Sequence, residues 1–374
     1  MNSFKAGKYI LHKGYKPFLP SFINEEIKWN LSSLTVLLQE ASLWIGKLNT
    51  YADLIPDLDF FIKMYAAKEA TTSNRIEGTK TTFDEALMPV EQIAPEARDD
   101  WHEVQNYIEA LNFSIKELEN IPLSLRLLKE AHKILLKGVR GKHKSPGEIR
   151  KTQNWIGGSS LKDAYFIPPE PNTLPDLLSD LEKFLHNENL DVPELIKAGI
   201  AHYQFETIHP FLDGNGRVGR LLIILYLINT GLLKKPVLYI SDFFEKNRSS
   251  YYDALTLVKK SNDIEQWLKF FLNGIIETSK NSIKTFDSII KLKKEIGAKL
   301  LTIGKKAKNG QRLVKLLYSQ PKVNAKIIAE QLGLSIVSAN KLLVTFVEIG
   351  ILKERTGFSR NRFYIFEQYL EIFR

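Results

Sequence analysis

The sequence predicts a mostly α-helical protein that ends in a winged helix-turn-helix domain, and three observations predict it. In the first 300 residues, apolar side chains recur at three- and four-residue spacing through 31–48, 101–118, 123–136, 174–184, 195–205 and 218–228, the period of helices with one buried face. Strand-like segments are scarce there, limited to 164–167, ahead of the Pro168-Pro169 break, and 237–240. Beyond residue 305 the pattern changes to three short helices and two short strands, a helix–turn–helix followed by a β-ribbon.

Each element carries a local signal. Pro122 and Thr173 stand where the 123–136 and 174–184 helices should start, and Gly231 where the 218–228 helix should stop. A connecting helix is expected over 281–305, basic from Lys291 to Lys299, leading into a loose joint between Gly304 and Gly310. In the last domain, helices are expected at 311–318, 325–332 and 335–349, with Gly333 at the turn. The strands fall at 351–355 and 362–366, split by Thr356, Gly357, Phe358 and Ser359.

Composition narrows the class. A chain of 374 residues that is 44% hydrophobic, with 21 Phe, 14 Tyr and 5 Trp, can build two or three cores, which excludes disorder and collagen-like repeats. With no Cys, disulfides and thiolate metal sites are excluded, and a reducing compartment fits. The longest apolar run, 221–228, has 8 residues, against roughly 18 or more for a membrane span. The N-terminus lacks the apolar core of a signal peptide. A soluble cytoplasmic protein with no membrane partner is expected. Charge divides unevenly: residues 301–374 hold 13 Lys+Arg against 5 Asp+Glu, so nearly all of the net +9 lies in the last fifth of the chain.

The most informative segment is His209-Pro-Phe-Leu-Asp213-Gly-Asn215-Gly-Arg217-Val-Gly-Arg220, between one helix and the next. Gly214 and Gly216 permit backbone angles that turn consecutive N–H groups inward as an anion nest. The helix that starts there adds its unpaired N–H groups and positive dipole end. Arg217 and Arg220 project from one face of its first turn and can grip two phosphate groups. Asp213 offers a hard oxygen to Mg²⁺, and His209 a neutral imidazole that takes a proton near pH 7. The loop has neither the Gly-Lys-Ser/Thr of a P-loop nor the preceding strand of a dinucleotide fingerprint.

At every defined position this segment resembles the signature of the Fic family, His-x-Phe-x-Asp/Glu-Gly-Asn-Gly-Arg-x-x-Arg. The resemblance implies a Fic-type helical core with a small β-hairpin flap. It also implies transfer of AMP from ATP, with Mg²⁺, to a Ser, Thr or Tyr hydroxyl of a target protein or of the chain itself, releasing pyrophosphate. His209 would then deprotonate the hydroxyl and Asp213 hold Mg²⁺. Asn215 and the loop amides, among them those of Gly214, Gly216, Val218 and Gly219, would bind the α-phosphate. Arg217 and Arg220 would bind the β- and γ-phosphates, and Phe211 would anchor the loop in the core. Family members that transfer phosphate carry a bulkier or charged residue in place of Gly216. The stretches 146–150, 155–158 and 166–169 look like the surroundings of the flap, which holds a target peptide by strand pairing. Tyr251 and Tyr252 match an aromatic pair, with Tyr252 the candidate for the adenine pocket.

Upstream, Ser73-Asn74-Arg75-Ile76-Glu77-Gly78, inside a helical stretch from about Phe61, resembles the family's inhibitory motif. Its logic is charge competition: Ser73, Glu77 and Gly78 would bring a carboxylate to Arg220, where the γ-phosphate belongs. His202 and Glu206, one turn apart, lack the HExxH pattern of a metal site, so His202 reads as a partly buried helix residue. His12, His102, His132, His143 and His186 give no signal.

These features divide the chain into a helical region carrying the inhibitory motif (1–110), a catalytic core (111–280), a linker helix (281–305) and a winged-helix domain (306–374). In the last, Ser335, Ser338, Asn340 and Lys341 would face base edges and Arg355, Arg360 and Arg362 phosphates, with Val337 and Val344 packing inward. DNA and a protein surface are both open as its ligand, and a homodimer stays open. Two further functions remain in play: a DNA-binding regulator whose core senses nucleotide, and removal of AMP at the same site with Glu77 orienting a water.

Overall fold

The computed structural model describes residues 2–12, 14–25, 27–28, 32–55, 58–138, 140–355 and 362–374. The chain opens with two short ribbons that the sequence pattern is too brief to show. β1 (Asn2–Ser3) pairs in parallel with β4 (Ile27–Lys28), and β2 (Gly7–Tyr9) runs antiparallel to β3 (Phe18–Pro20).

The helical body follows: α1 (Thr35–Leu54), α2 (Leu58–Ile76), the single turn α3 (Phe83–Ala86), α4 (Arg98–Glu117), α5 (Leu125–Leu135), α6 (Leu174–His186), α7 (Glu194–Ile208) and α8 (Asn215–Asn229). All six predicted helices are present. Then come α9 (Ser241–Lys246), α10 (Arg248–Ser261) and α11 (Ile264–Leu301). α7 and α8 are apolar nearly all round and buried on every face, the mark of central helices. The loop between them is the His209–Arg220 segment, so the candidate site is carried by a pair of central, buried helices.

Three expectations change. Residues 237–240 form no strand and pair with none among the described residues; the Val237 carbonyl instead accepts the Ser282 hydroxyl of α11. The flap segment closes with one antiparallel bridge, Ile156 to Phe166, in place of a full hairpin ladder. The expected linker helix over 281–305 is the second half of α11, whose buried stripe continues unbroken through Phe286, Ile289, Leu292, Ile296 and Leu300. The joint after it is also ordered, as one 3₁₀ turn (Gly304–Lys306) running directly into α12 (Ala307–Ser319).

The last elements are β5 (Lys322–Val323), α13 (Ala325–Leu332), α14 (Ile336–Glu348), β6 (Lys353–Glu354), β7 (Tyr364–Ile365) and α15 (Glu367–Glu371). Asn324 and Ser335 cap α13 and α14 with side-chain hydrogen bonds, and the two helices meet at 113° across Gly333. The strands form one antiparallel sheet ordered β5-β7-β6. Residues 356–361, including Arg360 and the expected strand break, lie outside the described residues. Val337 and Val344 do not pack inward: they stand 64% and 46% exposed. No single helix among the described residues is long and apolar enough to cross a membrane.

This last unit is bolted to α2. Phe61 and Tyr65 of α2 meet Tyr318, Tyr369 and Phe373 with ring centroids 5.1 to 6.1 Å apart. Beside them Asp84 accepts two hydrogen bonds from Arg374, at 2.8 and 2.9 Å, and pairs with Lys322. Phe61 is fully buried in this cluster. Phe61→Ala should therefore destabilise the protein by about 3–5 kcal/mol, read from chemical denaturation.

Candidate active site

α7 ends at His209, whose backbone is left-handed (φ 49°), a conformation uncommon outside glycine. It is held there from outside. Arg150, buried just before the flap, donates from Nε to the His209 carbonyl at 2.9 Å, and its Nη atoms reach the carbonyls of Thr152, Ile208 and Pro169. The Arg150 N–H itself donates to the Pro210 carbonyl at 2.9 Å. Among the described residues, His209 Nδ1 is buried without a hydrogen-bond partner. Burial, with the Arg150 charge, pushes the imidazole pKa down to about 4 against the pull of Glu77, so the ring is neutral at pH 7.

From Pro210 to Gly214 the loop is stitched shut. Phe211 is buried, as expected of an anchor, and Asn154 donates to its carbonyl at 3.0 Å. Asn215, expected on the α-phosphate, uses both ends of its amide on Phe211, accepting its N–H at 2.8 Å and donating to its carbonyl at 2.9 Å. The side chain is thus a staple within the loop. Gly214 takes a left-handed φ of 76° and lets α8 begin immediately. The Val218 N–H already donates to the Gly214 carbonyl, so the amides still open toward an anion are those of the first turn, before Val218. Gly219 contributes a carbonyl that accepts from buried His202 and a bare face against Glu206.

The two arginines converge on the end of α2. Arg217 is buried between Glu103, at 3.3 Å, and Asp213, at 3.5 Å, and also donates to Asn74. Arg220, 1% exposed, donates from Nε to the Ser73 hydroxyl at 2.8 Å and from Nη2 to the Ser73 carbonyl at 2.9 Å. The same Nη2 pairs with Glu77 Oε1 at 2.7 Å. α2 stops at Ile76, so Glu77 is not inside a helix; it lies in the turn closed by Glu77 N–H and Gly78 N–H donating to Asn74 and Arg75. Burial works against the Glu77 charge, but the charge and hydrogen bond of Arg220, with Arg217 and His209, hold its pKa below the ordinary carboxylate value. Its carboxylate covers Gly216, where a Cβ would collide with Oε1.

The Asp213 carboxylate is half-exposed at the loop's edge, its Oδ1 accepting the Gly214 N–H at 2.6 Å. No cluster of three or more acidic or imidazole side chains surrounds it among the described residues. A lone carboxylate of this kind fits Mg²⁺, which takes most of its ligands from water and substrate phosphates. Tyr251 is core, its hydroxyl on His202 at 2.9 Å, whereas Tyr252 is 39% exposed and feels the charges of Glu77, Arg220 and Glu206. His202 is wholly buried, its two ring nitrogens held by the Gly219 carbonyl and the Tyr251 hydroxyl.

Three site residues escape sequence reasoning: Arg150, His132 and Glu103. Glu206, noticed only for its spacing from His202, lies among Arg220, Glu77 and Lys259, and burial raises its pKa to about 7. None of the three carries a periodic or spaced signal; only the place of Arg150 within the 146–150 flap stretch could have flagged it.

Residues 35–116 match the Fic/DOC family N-terminal region and residues 122–227 the Fic/DOC family. The chain is 28% identical over 237 residues to a probable protein adenylyltransferase of Aquifex aeolicus, covering 63% of this chain and 70% of that one. It is 35% identical over 125 residues to the protein adenylyltransferase Fic of Drosophila erecta, covering 33% of this chain but only 22% of the insect protein. A Fic family protein from Desulfovibrio desulfuricans G20 shares the fold with a TM-score of 0.56 at 21% identity, over 89% of this chain and 95% of that one. A Fic domain containing signaling protein from Bacteroides thetaiotaomicron does so at 0.56 and 20%, over 66% and 97%.

Losing the Asn215 staple leaves the Phe211 N–H without its partner inside the core and its carbonyl with Asn154 alone. Asn215→Ala should cost about 1–3 kcal/mol in stability, measured by thermal melting.

Proposed function

Because the chain belongs to the Fic/DOC family, we propose that it transfers AMP from ATP to a hydroxyl side chain of a protein and is restrained by its own Glu77. The observation that carries this reading is one arrangement: a neutral imidazole, the open amides of a helix N-terminus and two buried guanidinium groups around one loop. His209 takes the proton of the incoming hydroxyl as its oxygen bonds to the α-phosphorus. The bond from that phosphorus to the bridging oxygen breaks, and pyrophosphate leaves with its charge facing Arg217 and Arg220. Asp213 would hold Mg²⁺, which when bound supplies charge neutralisation to the phosphates. The first-turn amides of α8 face the α-phosphate, and Tyr252 is the side chain we assign to the base.

The restraint follows from occupancy. A carboxylate already rests over Gly216 and on Arg220, where the terminal phosphate would go. ATP and Glu77 therefore compete for the same guanidinium. In the unit formed by 306–374 we read a winged-helix domain that docks protein. α14 presents Val337 and Val344 beside Asn340 and Lys341, and Arg355 is tied to Glu367. That mixed apolar face suits a protein surface better than base edges. The cysteine-free sequence suits a cytoplasmic setting.

Glu77→Gly should raise labelling from radiolabelled ATP, on the chain itself and on lysate proteins; equal or lower incorporation contradicts the restraint. In that background, His209→Ala should cut transfer by about 10²–10⁴-fold while calorimetric uptake of Mg-ATP persists. Because the imidazole must be neutral to act and its pKa lies low, the rate should hold as pH falls through 6.5 and decline only toward about 4. An electrophoretic shift with steep salt dependence would favour DNA over protein as the ligand of 306–374.

A further inference from the structure

His132 is one of seven histidines and sits on the buried face of α5, with no motif around it. Yet it touches the phosphate loop at three successive points. Its ring is fully buried and lies flat on Phe211, centroids 3.8 Å apart and planes within 11°. The Gly147 N–H donates to Nδ1 at 2.8 Å, which places the proton of the neutral ring on Nε2. Nε2–H then donates to the Asp213 carbonyl at 3.0 Å. Gly214 passes so close that a Cβ there would meet the ring at 3.4 Å.

The bond to the carbonyl also decides where the next amide points. In a trans peptide the C=O and N–H groups face opposite ways. With the Asp213 carbonyl pinned on His132, the Gly214 N–H must turn away from α5, to the side where the half-exposed Asp213 carboxylate accepts it. Without His132, the peptide is free to rotate. A flipped peptide would offer the phosphates an oxygen in place of a donor and would carry the Asp213 side chain with it.

We propose that His132 is a positioning residue for AMP transfer: it locks the 213–214 peptide with its N–H toward the phosphate side and so sets the Asp213 carboxylate. The proposal deepens, and rests on, the adenylyl-transfer reading. Its chemistry is that of any preorganised anion site, in which donors are oriented before the charge arrives.

The test uses the full chain in the Glu77→Gly background. His132→Phe keeps a flat ring against Phe211 and removes both hydrogen bonds. Hydrogen exchange followed by mass spectrometry should show amides in 211–217 exchanging about tenfold faster, with α5 still protected, a readout independent of catalysis. In parallel, kcat for labelling should fall about 10–100-fold and the Mg²⁺ needed for half-maximal rate should rise about tenfold, with the KM for ATP within threefold. Parent-like exchange and parent-like kcat in His132→Phe would overturn the proposal. If that variant does not fold, His132→Gln decides, since it retains a donor: parent-like loop protection with most of kcat supports the role, and lost kcat behind a protected loop refutes it. Should the Glu77→Gly parent itself transfer no label, the adenylyl-transfer reading fails, and loop exchange alone then judges whether His132 holds the peptide.

Discussion

A buried guanidinium has to be answered, and much of this structure is the answer to Arg220. At 1% exposure its charge has lost nearly all its water, a cost that only close oxygen partners offset. The chain supplies such partners itself: the Ser73 hydroxyl and carbonyl from the last turns of α2 and the Glu77 carboxylate from the turn that follows. Arg217 is answered in part by Glu103, Asp213 and Asn74, while its Nε has no hydrogen-bond partner among the described residues. On the proposed reading, the restraint is a carboxylate that answers the Arg220 charge where a phosphate would bind, placed where the two can exchange. Ser73, in the last turn of α2, and Glu77, in the turn that follows, reach Arg220 together because that turn folds back on Asn74 and Arg75.

α2 is consequently a shared part. Its C-terminal end neutralises the site, while its N-terminal half carries Phe61 and Tyr65 into the aromatic cluster with Tyr318, Tyr369 and Phe373. A helix packed at both ends transmits displacement as a rigid rod far better than as a flexible strand. The ordered junction at Gly304–Lys306 and the Asp84–Arg374 pair act in the same direction, tying residues 306–374 to the face of α2.

What the sequence makes legible follows the range of each interaction. The loop from His209 to Arg220 could be read because its chemistry lies within twelve consecutive residues, and the helices because burial repeats every three or four. The flap and the N-terminal ribbons escaped, or were overdrawn, because two or three paired residues leave no alternating pattern. The scaffold of the site escaped for a different reason. His132 acts on Asp213 across 81 positions and Glu103 on Arg217 across 114, each as a single side chain. Periodicity cannot report such contacts. Asn215 shows the opposite limit: its place in the motif was plain, but only the fold shows its amide turned back on Phe211. The valines of α14 looked like core by type, and their exposure could be seen only once α13 had packed on the helix elsewhere.

Gly216 brings these strands together. Its bare face is what allows Glu77 to lie against the first turn of α8, since a Cβ there would strike the carboxylate and crowd Arg220 Nη1. Gly219, three residues on, makes the same room for Glu206. Two glycines on one helical face thus admit two carboxylates beside Arg220, one ionised and one driven by burial toward its neutral form. A larger residue at 216 would narrow the space over the first turn of α8 and also evict the Glu77 carboxylate. The glycine, which the family resemblance marks for reaction type, is equally a requirement of the restraint proposed above.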